Sequence, residues 1–451
     1  MKKSKNNELL TKDIKQLIIQ IAIPSSVGMF FNTMYNVIDT FYVGLISTVA
    51  ISALSYSFIV FFMLLSVSFG LSSAITAYVG NSLGRHKVFM AKVYVSNGVS
   101  LFIFIALFLC IFGFIFLESI FLFMGASGEA LSLALEYTYM ILIGMIPMLM
   151  GLGANAVLIA KGDTKSYRNS LIVGFVLNLI LDPILIYGFL FIPALGFKGV
   201  AIATVLIQFV TFSYIFYKLI QSGLFDISSF FSNKPNFKVY KQLLKQAIPS
   251  SLNMFLMSIG TMIITYFVSD YGYKAVASFG IGYRVEQIIL LPMLGLNTAV
   301  ATIVANNYGA KNFDRIEEVI KKALRYGYIM SAIGVVLISI FGKYMILVFD
   351  NDTEVLNMTY SYIVVESFIF FAFITIFISV STLQGLKQPF IIPYISFYRQ
   401  IIMPLILLFF IVKVYSLDIL YVWLCSLFIT YTAAIYLHLY TRKKLNSLYS
   451  K

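Results

Sequence analysis

The chain alternates between long apolar runs and short polar or basic segments. A helix needs about 20 apolar residues to cross a bilayer, and roughly twelve runs of this sequence reach that length. The pattern therefore predicts an all-α membrane protein with twelve transmembrane helices. The predicted spans are roughly 17–43, 51–80, 94–117, 132–160, 168–190, 198–220, 246–269, 276–305, 325–348, 359–384, 391–412 and 418–440.

Composition supports this prediction. Hydrophobic residues make up 60% of the chain and charged residues 11%, whereas a soluble protein is about 45–50% apolar and about 25% charged. Cys110 and Cys425 both lie inside apolar runs, so we expect packing residues rather than a disulfide or a metal cluster.

The basic residues indicate how the protein is oriented. Most of the 32 Lys and Arg residues fall in segments on one face of the predicted bundle, and they account for the net charge of +13. Because basic loops stay in the cytoplasm, we expect a multi-pass protein of the cell membrane with cytoplasmic N- and C-termini. This asymmetry argues against nucleic-acid binding and favours contact with anionic lipids. The opposite face carries only Lys198, Lys274, Lys343 and Lys413.

The two halves of the sequence repeat each other. The motif IPSS occurs at 23–26 and again at 248–251, a shift of 225 residues, and the same shift carries VGNSLGRHK (79–87) onto VANNYGAKN (304–312). A shift of 223 carries AKGDTKSY (160–167) onto LQGLKQPF (383–390). Ordered matches at a nearly constant shift indicate an internal duplication.

The duplication predicts the domain organisation. We expect an N-terminal lobe at 1–220, a polar cytoplasmic linker at 221–245 and a C-terminal lobe at 246–451. Six spans in each half give both halves the same orientation. The lobes should therefore be two six-helix bundles related by a pseudo-two-fold axis along the membrane normal, with a central cleft suited to alternating access.

One carboxylate stands out inside a predicted span. In the stretch NLILDPILIYG, Asn178 precedes Asp182 by one helical turn and Pro183 follows it. An acid in the middle of a span costs about 2.5–3.5 kcal/mol on insertion scales, so it usually faces a cavity. Pro183 also frees the carbonyl of Leu179. The group suits a proton or a small hard cation; the alternative is a polar cluster that only fixes helix packing.

Asp39 is the second intramembrane acid. It lies in the outer part of span one, where contact with interfacial water is the alternative to a functional role. In the repeat, Asp39 corresponds to Ile264, and Asp182 corresponds to Leu405 at the shift of 223. The acids thus occur in one half only, whereas residues needed merely for packing would be expected to recur in both halves. This predicts that a proton or cation site lies in the N-terminal lobe.

The charged residues of the second half are harder to interpret. Arg284 and Glu286 are two positions apart and point away from each other on a helix, so they either face the lobe interface or form structural ion pairs. Glu366 is expected near the outer water and Arg399 in an architectural role. In the first half, Glu136 at the outer start of span four is expected to be a solvated acid.

Several motifs resemble multidrug and toxic compound extrusion (MATE) transporters. They are IPSSVGMFFNTMYNVIDTFYVG in span one, NLILDPILIYG in span five, GVAIAT in span six, GYRVEQIILLPMLGLNTAVATIVANNYGAKN in span eight and YRQIIMPLILL in span eleven. The resemblance covers nearly the whole chain. It implies a twelve-helix, two-lobe fold and cation-coupled efflux of organic, often cationic, compounds.

The resemblance also implies site residues. It places Asp39 beside the acid of span five, and it aligns Asn178, Asp182 and Thr204 with the cation-binding or protonation cluster of the family. Tyr35 and Asn36, one turn from Asp39, are expected to complete its hydrogen bonding. Some branches carry acids in spans seven and ten of the C-terminal lobe, but span seven here has none.

The sequence therefore predicts a secondary antiporter rather than an enzyme. We expect a monomer that exports amphiphilic or cationic small molecules in exchange for protons, with Na⁺ competing at Asp39, Asn178 and Asp182, and without a cofactor. The alternative is a lipid-linked oligosaccharide flippase, which belongs to the same superfamily as the MATE transporters. No G-x-S-x-G, H-E-x-x-H or G-x-x-x-x-G-K-[ST] motif occurs, which disfavours an intramembrane hydrolase or a nucleotide-driven pump.

Overall fold

The computed structural model describes residues 7–232 and 234–449, and these residues are almost entirely helical. Within these residues, eleven helices are long and apolar enough to cross a membrane, and two shorter helices bent by 47° give a twelfth when they are taken together as one broken span. The prediction of an all-α protein with twelve spans is confirmed. We label them α1 (Ile14–Ile46), α2 (Thr48–Gly84), α3 (Val88–Phe123), α4 (Gly128–Ala160), α5 (Lys165–Tyr187), α6 (Phe197–Gln221), α7 (Phe237–Val268), α8 (Tyr273–Gly309), α9 (Phe313–Leu347), α10 (Thr353–Ser367 and Ile369–Gly385), α11 (Ile391–Val414) and α12 (Ile419–Tyr449).

The internal repeat is visible in the helix ends. Helix α2 ends at Gly84 and α8 ends at Gly309, 225 positions later. Beyond each end lies a residue with positive φ, His86 at 55° and Lys311 at 61°. The same pair of backbone hydrogen bonds closes both ends, in the manner of a Schellman cap. The duplication therefore reaches down to the turn geometry.

The third repeat motif has a different register from the one predicted. Gly162 with φ 85° follows α4, and the residue in the same position after α10 is Lys387 with φ 58°. The two caps also share their hydrogen bonds, from Gly162 N to Ile159 O and from Lys387 N to Gln384 O. The structural shift is 225 here too, so the shift of 223 was wrong. Asp182 then corresponds to Leu407, which leaves the acids in one half.

The described helices pack as two compact units. One unit is Val27–Ile248, called here the N-unit; the other, the C-unit, is Met1–Ser26 together with Pro249–Lys451. Both borders fall in the IPSS motifs, inside α1 and inside α7. The first turns of α1 are buried in the C-unit core, and those of α7 in the N-unit core. These borders differ from the predicted lobe boundaries at 220 and 246.

Within the N-unit, α4 is the central helix and the others arrange the site around it. It packs against α2, α3 and α6, and α6 packs against α5. Gly199 allows α6 to approach α5 closely, because a Cβ there would lie 2.6 Å from the carbonyl oxygen of Leu185. This contact brings the first turns of α6 beside the acidic part of α5.

Candidate functional site

Three polar side chains from α1 and α5 meet inside the N-unit. The amide nitrogen of Asn178 donates to Asp39 Oδ1 at 2.7 Å and to Asp182 Oδ2 at 3.0 Å. The two carboxyl groups are also close enough to interact with each other. The structure thus brings together Asp39, Asn178 and Asp182, the three residues that the sequence singled out.

This cluster is sealed from bulk water. Asp39 is 2% exposed, while Asn178 and Asp182 are fully buried. The spacing of four residues puts Asn178 and Asp182 on one face of α5, and that face meets α1 at Asp39. Asp39 therefore does not reach the interfacial water that was the alternative interpretation of its position.

Hydroxyl groups from three other positions surround the acids. Tyr35 on α1 donates to the hydroxyl of Thr204 on α6 at 3.1 Å. Tyr137 on α4 contacts the same hydroxyl and interacts with both carboxyl groups. Its ring stacks on Phe197 at a centroid distance of 5.2 Å. Thr204, which the resemblance aligned with the cluster, lies beside the acids; Tyr35, which was expected to hydrogen-bond Asp39, donates to Thr204 instead.

Asn36 occupies a different position. Its side-chain amide donates to the backbone oxygen of Asn32 at 3.0 Å, within its own helix. The hydrogen bonding of Asp39 expected from Asn36 comes instead from Asn178 on α5. The predicted partner was on the wrong helix because spacing along one helix does not reveal neighbours on another.

Two oxygen atoms of the cluster are buried without a hydrogen-bond partner. They are Oδ1 of Asp182 and Oδ1 of Asn178. A buried acceptor left unpaired costs about 1–3 kcal/mol, so these atoms mark a place where a proton or a cation is favourable. Carboxylate and amide oxygens are also the ligands that small hard cations prefer.

The charge balance leads to the same conclusion. Among the described residues, no Lys or Arg forms an ion pair with Asp39 or Asp182. Two anions this close together in a buried site repel one another and lack solvation. One positive charge, either a proton or a cation, would satisfy both the geometry and the charge. In the whole of 7–232 and 234–449, no group of three or more His, Cys, Asp and Glu side chains has the arrangement of a metal site.

The C-unit contains a second buried acidic cluster. Tyr362 donates to Glu286 Oε2 at 3.1 Å, and Glu366 on the same helix half as Tyr362 contacts the hydroxyl of Ser426. Arg399 on α11 is also buried, interacts with Glu286, and lies over the ring of Phe373 at 5.5 Å. This cluster carries its own cation.

Glu366 was wrongly expected to be solvated. It is 5% exposed because α10 begins at Thr353 rather than near 359, which places Glu366 about 20 Å along the helix. Arg284 and Glu286 do point apart, the first exposed and the second buried. Glu136 is half-exposed and pairs with Lys198 at 3.0 Å, consistent with its expected solvated position.

Tyr137 and Tyr362 are the site residues that sequence reasoning missed. They lie 225 positions apart, so they occupy the same place in the two repeats, and each borders an acidic cluster. Superposing the repeats at a shift of 225 would have shown a tyrosine retained at this position. That signal was present in the sequence, but with 30 tyrosines in the chain nothing else distinguished these two.

Comparison with known proteins gives consistent matches. The MatE family model matches residues 24–184 and 249–410. A FAD transporter from Shewanella oneidensis is 25% identical over 363 residues, which is 79% of each chain. The probable multidrug resistance protein NorM from Thermotoga maritima is 25% identical over 422 residues, covering 91% of this chain and 89% of the relative. The multidrug export protein MepA from Staphylococcus aureus is 25% identical over 345 residues, 76% and 75% of the two chains.

Solved structures agree on the fold. A MOP superfamily transporter from Pyrococcus furiosus aligns with a TM-score of 0.91 at 24% identity, covering 99% of both chains. An outward-facing multidrug resistance transporter of the MATE family aligns with a TM-score of 0.92, also at 24% identity and 99% of both chains. The two-lobe transporter fold predicted from the repeat is therefore confirmed.

Proposed function

Because the chain belongs to the MatE family of multidrug extrusion transporters, we propose that it exports organic, often cationic, compounds across the cell membrane in exchange for protons. It is a transporter rather than an enzyme, and its family carries out multidrug efflux. The observation that carries the coupling proposal is the amide of Asn178, which bridges Asp39 and Asp182 in a buried site.

The proposed mechanism uses the charge of this cluster. When both acids are ionised, the N-unit holds two uncompensated negative charges and favours a conformation that retains a cationic substrate. When one proton enters, the cluster becomes singly charged, the bridge through Asn178 rearranges, and the conformation that releases substrate outward is favoured. Coupling requires the acids to bind the proton with different affinity in the two conformations.

A proton accounts for the observed contacts more simply than Na⁺. The amide nitrogen of Asn178 donates to both carboxylates. A single proton on one of these carboxylates would halve the negative charge of the pair. A hard cation takes about six or more oxygen ligands, whereas a proton needs one carboxylate oxygen such as Oδ1 of Asp182, which has no hydrogen-bond partner. Na⁺ therefore stands as a competing ion. Cytoplasmic termini remain part of the proposal, on the basis of the basic loops.

The direct test is dye efflux from proteoliposomes under an imposed gradient of a single ion. We expect a proton gradient to drive efflux in the wild-type protein and a sodium gradient to drive little. The variant Asp182→Asn should insert and purify normally but lose proton-driven efflux, because a carboxamide does not bind and release a proton near neutral pH. Full proton-driven efflux in this variant would remove Asp182 from the mechanism.

The matched control is Glu136→Gln. This variant also replaces a carboxylate with an amide, but Glu136 is half-exposed and forms an ion pair with Lys198. We expect its efflux to equal that of the wild-type protein. If both variants lost efflux equally, the loss would reflect net charge or folding rather than the buried cluster.

A second substrate class deserves the same assay. The relative from Shewanella oneidensis is described as a FAD transporter, so flavin dinucleotide is a candidate substrate here. The acidic N-unit cluster favours cations, and we therefore expect a cationic dye to be transported in preference to FAD. Faster movement of FAD than of the dye would reverse this assignment while leaving the transporter fold in place.

A further inference from the structure

A groove of about 280 Å³ lies on the outside of the N-unit, between α3 and the segment that follows α6. This segment contains a short helix, Ile227–Ser232, before α7 begins at Phe237. The groove is far from the acidic cluster in the sequence and shares no residue with it. Its lining residues are Ser96, Asn97, Ser100, Ile103, Phe104, Phe230, Phe231, Lys234 and Pro235.

One wall of the groove is fixed because the end of this segment and the first turns of α7 are hydrogen-bonded to α3. The backbone N–H of Asn236 donates to Asn97 Oδ1 at 2.7 Å, and the hydroxyls of Ser100 and Tyr240 are 2.7 Å apart. Tyr94 also donates to Gln242 at 2.7 Å. The predicted linker is therefore held against the N-unit rather than detached from it.

One end of the groove is apolar and accessible. Ile103, Phe104 and Phe230 line it, and Phe231 leaves 82% of its surface exposed at its edge. The rings of Phe230 and Phe231 meet edge to face at 5.3 Å. Apolar surface of this kind beside a transmembrane helix suits an acyl chain.

The other end is polar and basic. Lys234 and Ser96 line it, and neither forms a hydrogen bond or ion pair with another described residue. Lys92 lies one turn before Ser96 on α3, and Lys238 and Lys241 follow on the linker side, all exposed. A free ammonium and a free hydroxyl among further lysines attract a phosphate.

The position along α3 matches the boundary between lipid headgroups and hydrocarbon. Helix α3 has 36 residues and is about 54 Å long, longer than the hydrocarbon core of about 30 Å. Ser96 lies about 12 Å and Phe104 about 24 Å from the start of the helix at Val88. The polar end of the groove thus falls near the headgroups and the apolar end inside the core.

We propose that this groove binds one anionic phospholipid from the leaflet next to the basic loops. Its phosphate would contact Lys234 and Ser96, and one acyl chain would lie along Ile103, Phe104, Phe230 and Phe231. A bound lipid would add to the contacts that hold the linker on α3. The inference does not depend on the proposed antiport, because it concerns a different surface of the protein.

The experiment is a lipid titration of the detergent-purified protein, with the thermal midpoint as readout. We expect phosphatidylglycerol to raise the midpoint in a saturable manner, and phosphatidylcholine and glycerol phosphate to raise it much less. Lys234→Gln should raise the half-saturating concentration of phosphatidylglycerol about five-fold, the factor that corresponds to roughly 1 kcal/mol per basic residue near an anionic surface.

Two further variants distinguish a site from diffuse attraction. Lys238→Gln removes the same charge from the start of α7, outside the groove lining, and should shift the half-saturating concentration much less than Lys234→Gln does. Ile103→Trp fills the apolar end and should weaken binding although Lys234 is intact; Phe231→Ser, at an exposed position, serves the same purpose if the first variant fails to fold. Equal effects of Lys234→Gln and Lys238→Gln, or no effect of either apolar variant, would overturn the proposal.

Discussion

The two units of this protein bury acidic clusters that solve the same electrostatic problem differently. In the N-unit, Asp39 and Asp182 share the amide of Asn178 and no cation of the described chain pairs with them. In the C-unit, Glu286 and Glu366 are buried with Arg399, which interacts with Glu286. In the proposed mechanism the first cluster receives a mobile positive charge, whereas the second contains the fixed charge of Arg399.

This difference arose within a duplicated framework. The helix ends of the two halves repeat at 225 residues, and Tyr137 and Tyr362 occupy equivalent places beside the two clusters. The acids do not coincide: Asp39 and Asp182 correspond to Ile264 and Leu407, while Glu286 and Glu366 correspond to Phe61 and Ile141. The two halves therefore share their helix ends and the tyrosine beside each cluster, but they carry their buried acids at different positions.

The comparison predicts its largest effect in transport. Asp39→Asn and Asp182→Asn should each lower proton-driven efflux about 100-fold, the upper range of coupling between two sites, and the double variant should be no worse than either. Glu366→Gln should retain more than half of the efflux, because the C-unit has its fixed cation. Proteoliposome efflux measures all four variants. A greater loss in Glu366→Gln than in Asp182→Asn would exchange the roles of the two clusters.

The second prediction concerns stability and the buried arginine. Arg399→Gln leaves Glu286 and Glu366 without their cation, and removing one partner of a buried charge group costs about 3–5 kcal/mol. We expect a marked fall in the thermal midpoint of the purified protein. Adding Glu286→Gln to Arg399→Gln removes part of the unbalanced charge and should restore much of the loss. No recovery would show that Arg399 acts by packing on Phe373 instead.

The sequence predicted the parts of this picture that follow from periodicity and from rare residues. Apolar run lengths predicted the spans, and a carboxylate inside such a run identified Asp182 without any structure. The depth of a residue within its span was less predictable. Glu366 was expected near the outer water because span ten was predicted to begin near 359, but α10 begins at Thr353 and Glu366 is buried. Contacts between helices, such as Tyr137 with Thr204, depend on packing angles that a pattern along one helix does not contain.

The third prediction compares the equivalent tyrosines. Tyr362→Phe removes a buried hydrogen bond to Glu286, and a bond to a charged group contributes about 1.5–3 kcal/mol. Its thermal midpoint should fall while efflux stays near that of the wild-type protein. Tyr137→Phe should change stability less and lower proton-driven efflux about five-fold, equivalent to roughly 1 kcal/mol for a lost neutral hydrogen bond. Identical behaviour of the two variants would show that both tyrosines serve packing alone.

The smallest effect is expected at Glu136, next to Tyr137 in the sequence. Its pair with Lys198 is half-exposed on both sides, and such surface ion pairs contribute about 0–1 kcal/mol. In Glu136→Gln, the thermal midpoint should therefore change little. The difference in midpoint between the variant and the wild-type protein should be largest at the lowest salt concentration, because salt screens exposed charges. Residues 136 and 137 point in different directions on α4, so burial and not position in the chain decides which side chain matters. A large, salt-independent loss of stability in this variant would mean that burial is not what separates the acids of the two clusters from the other acids of the chain.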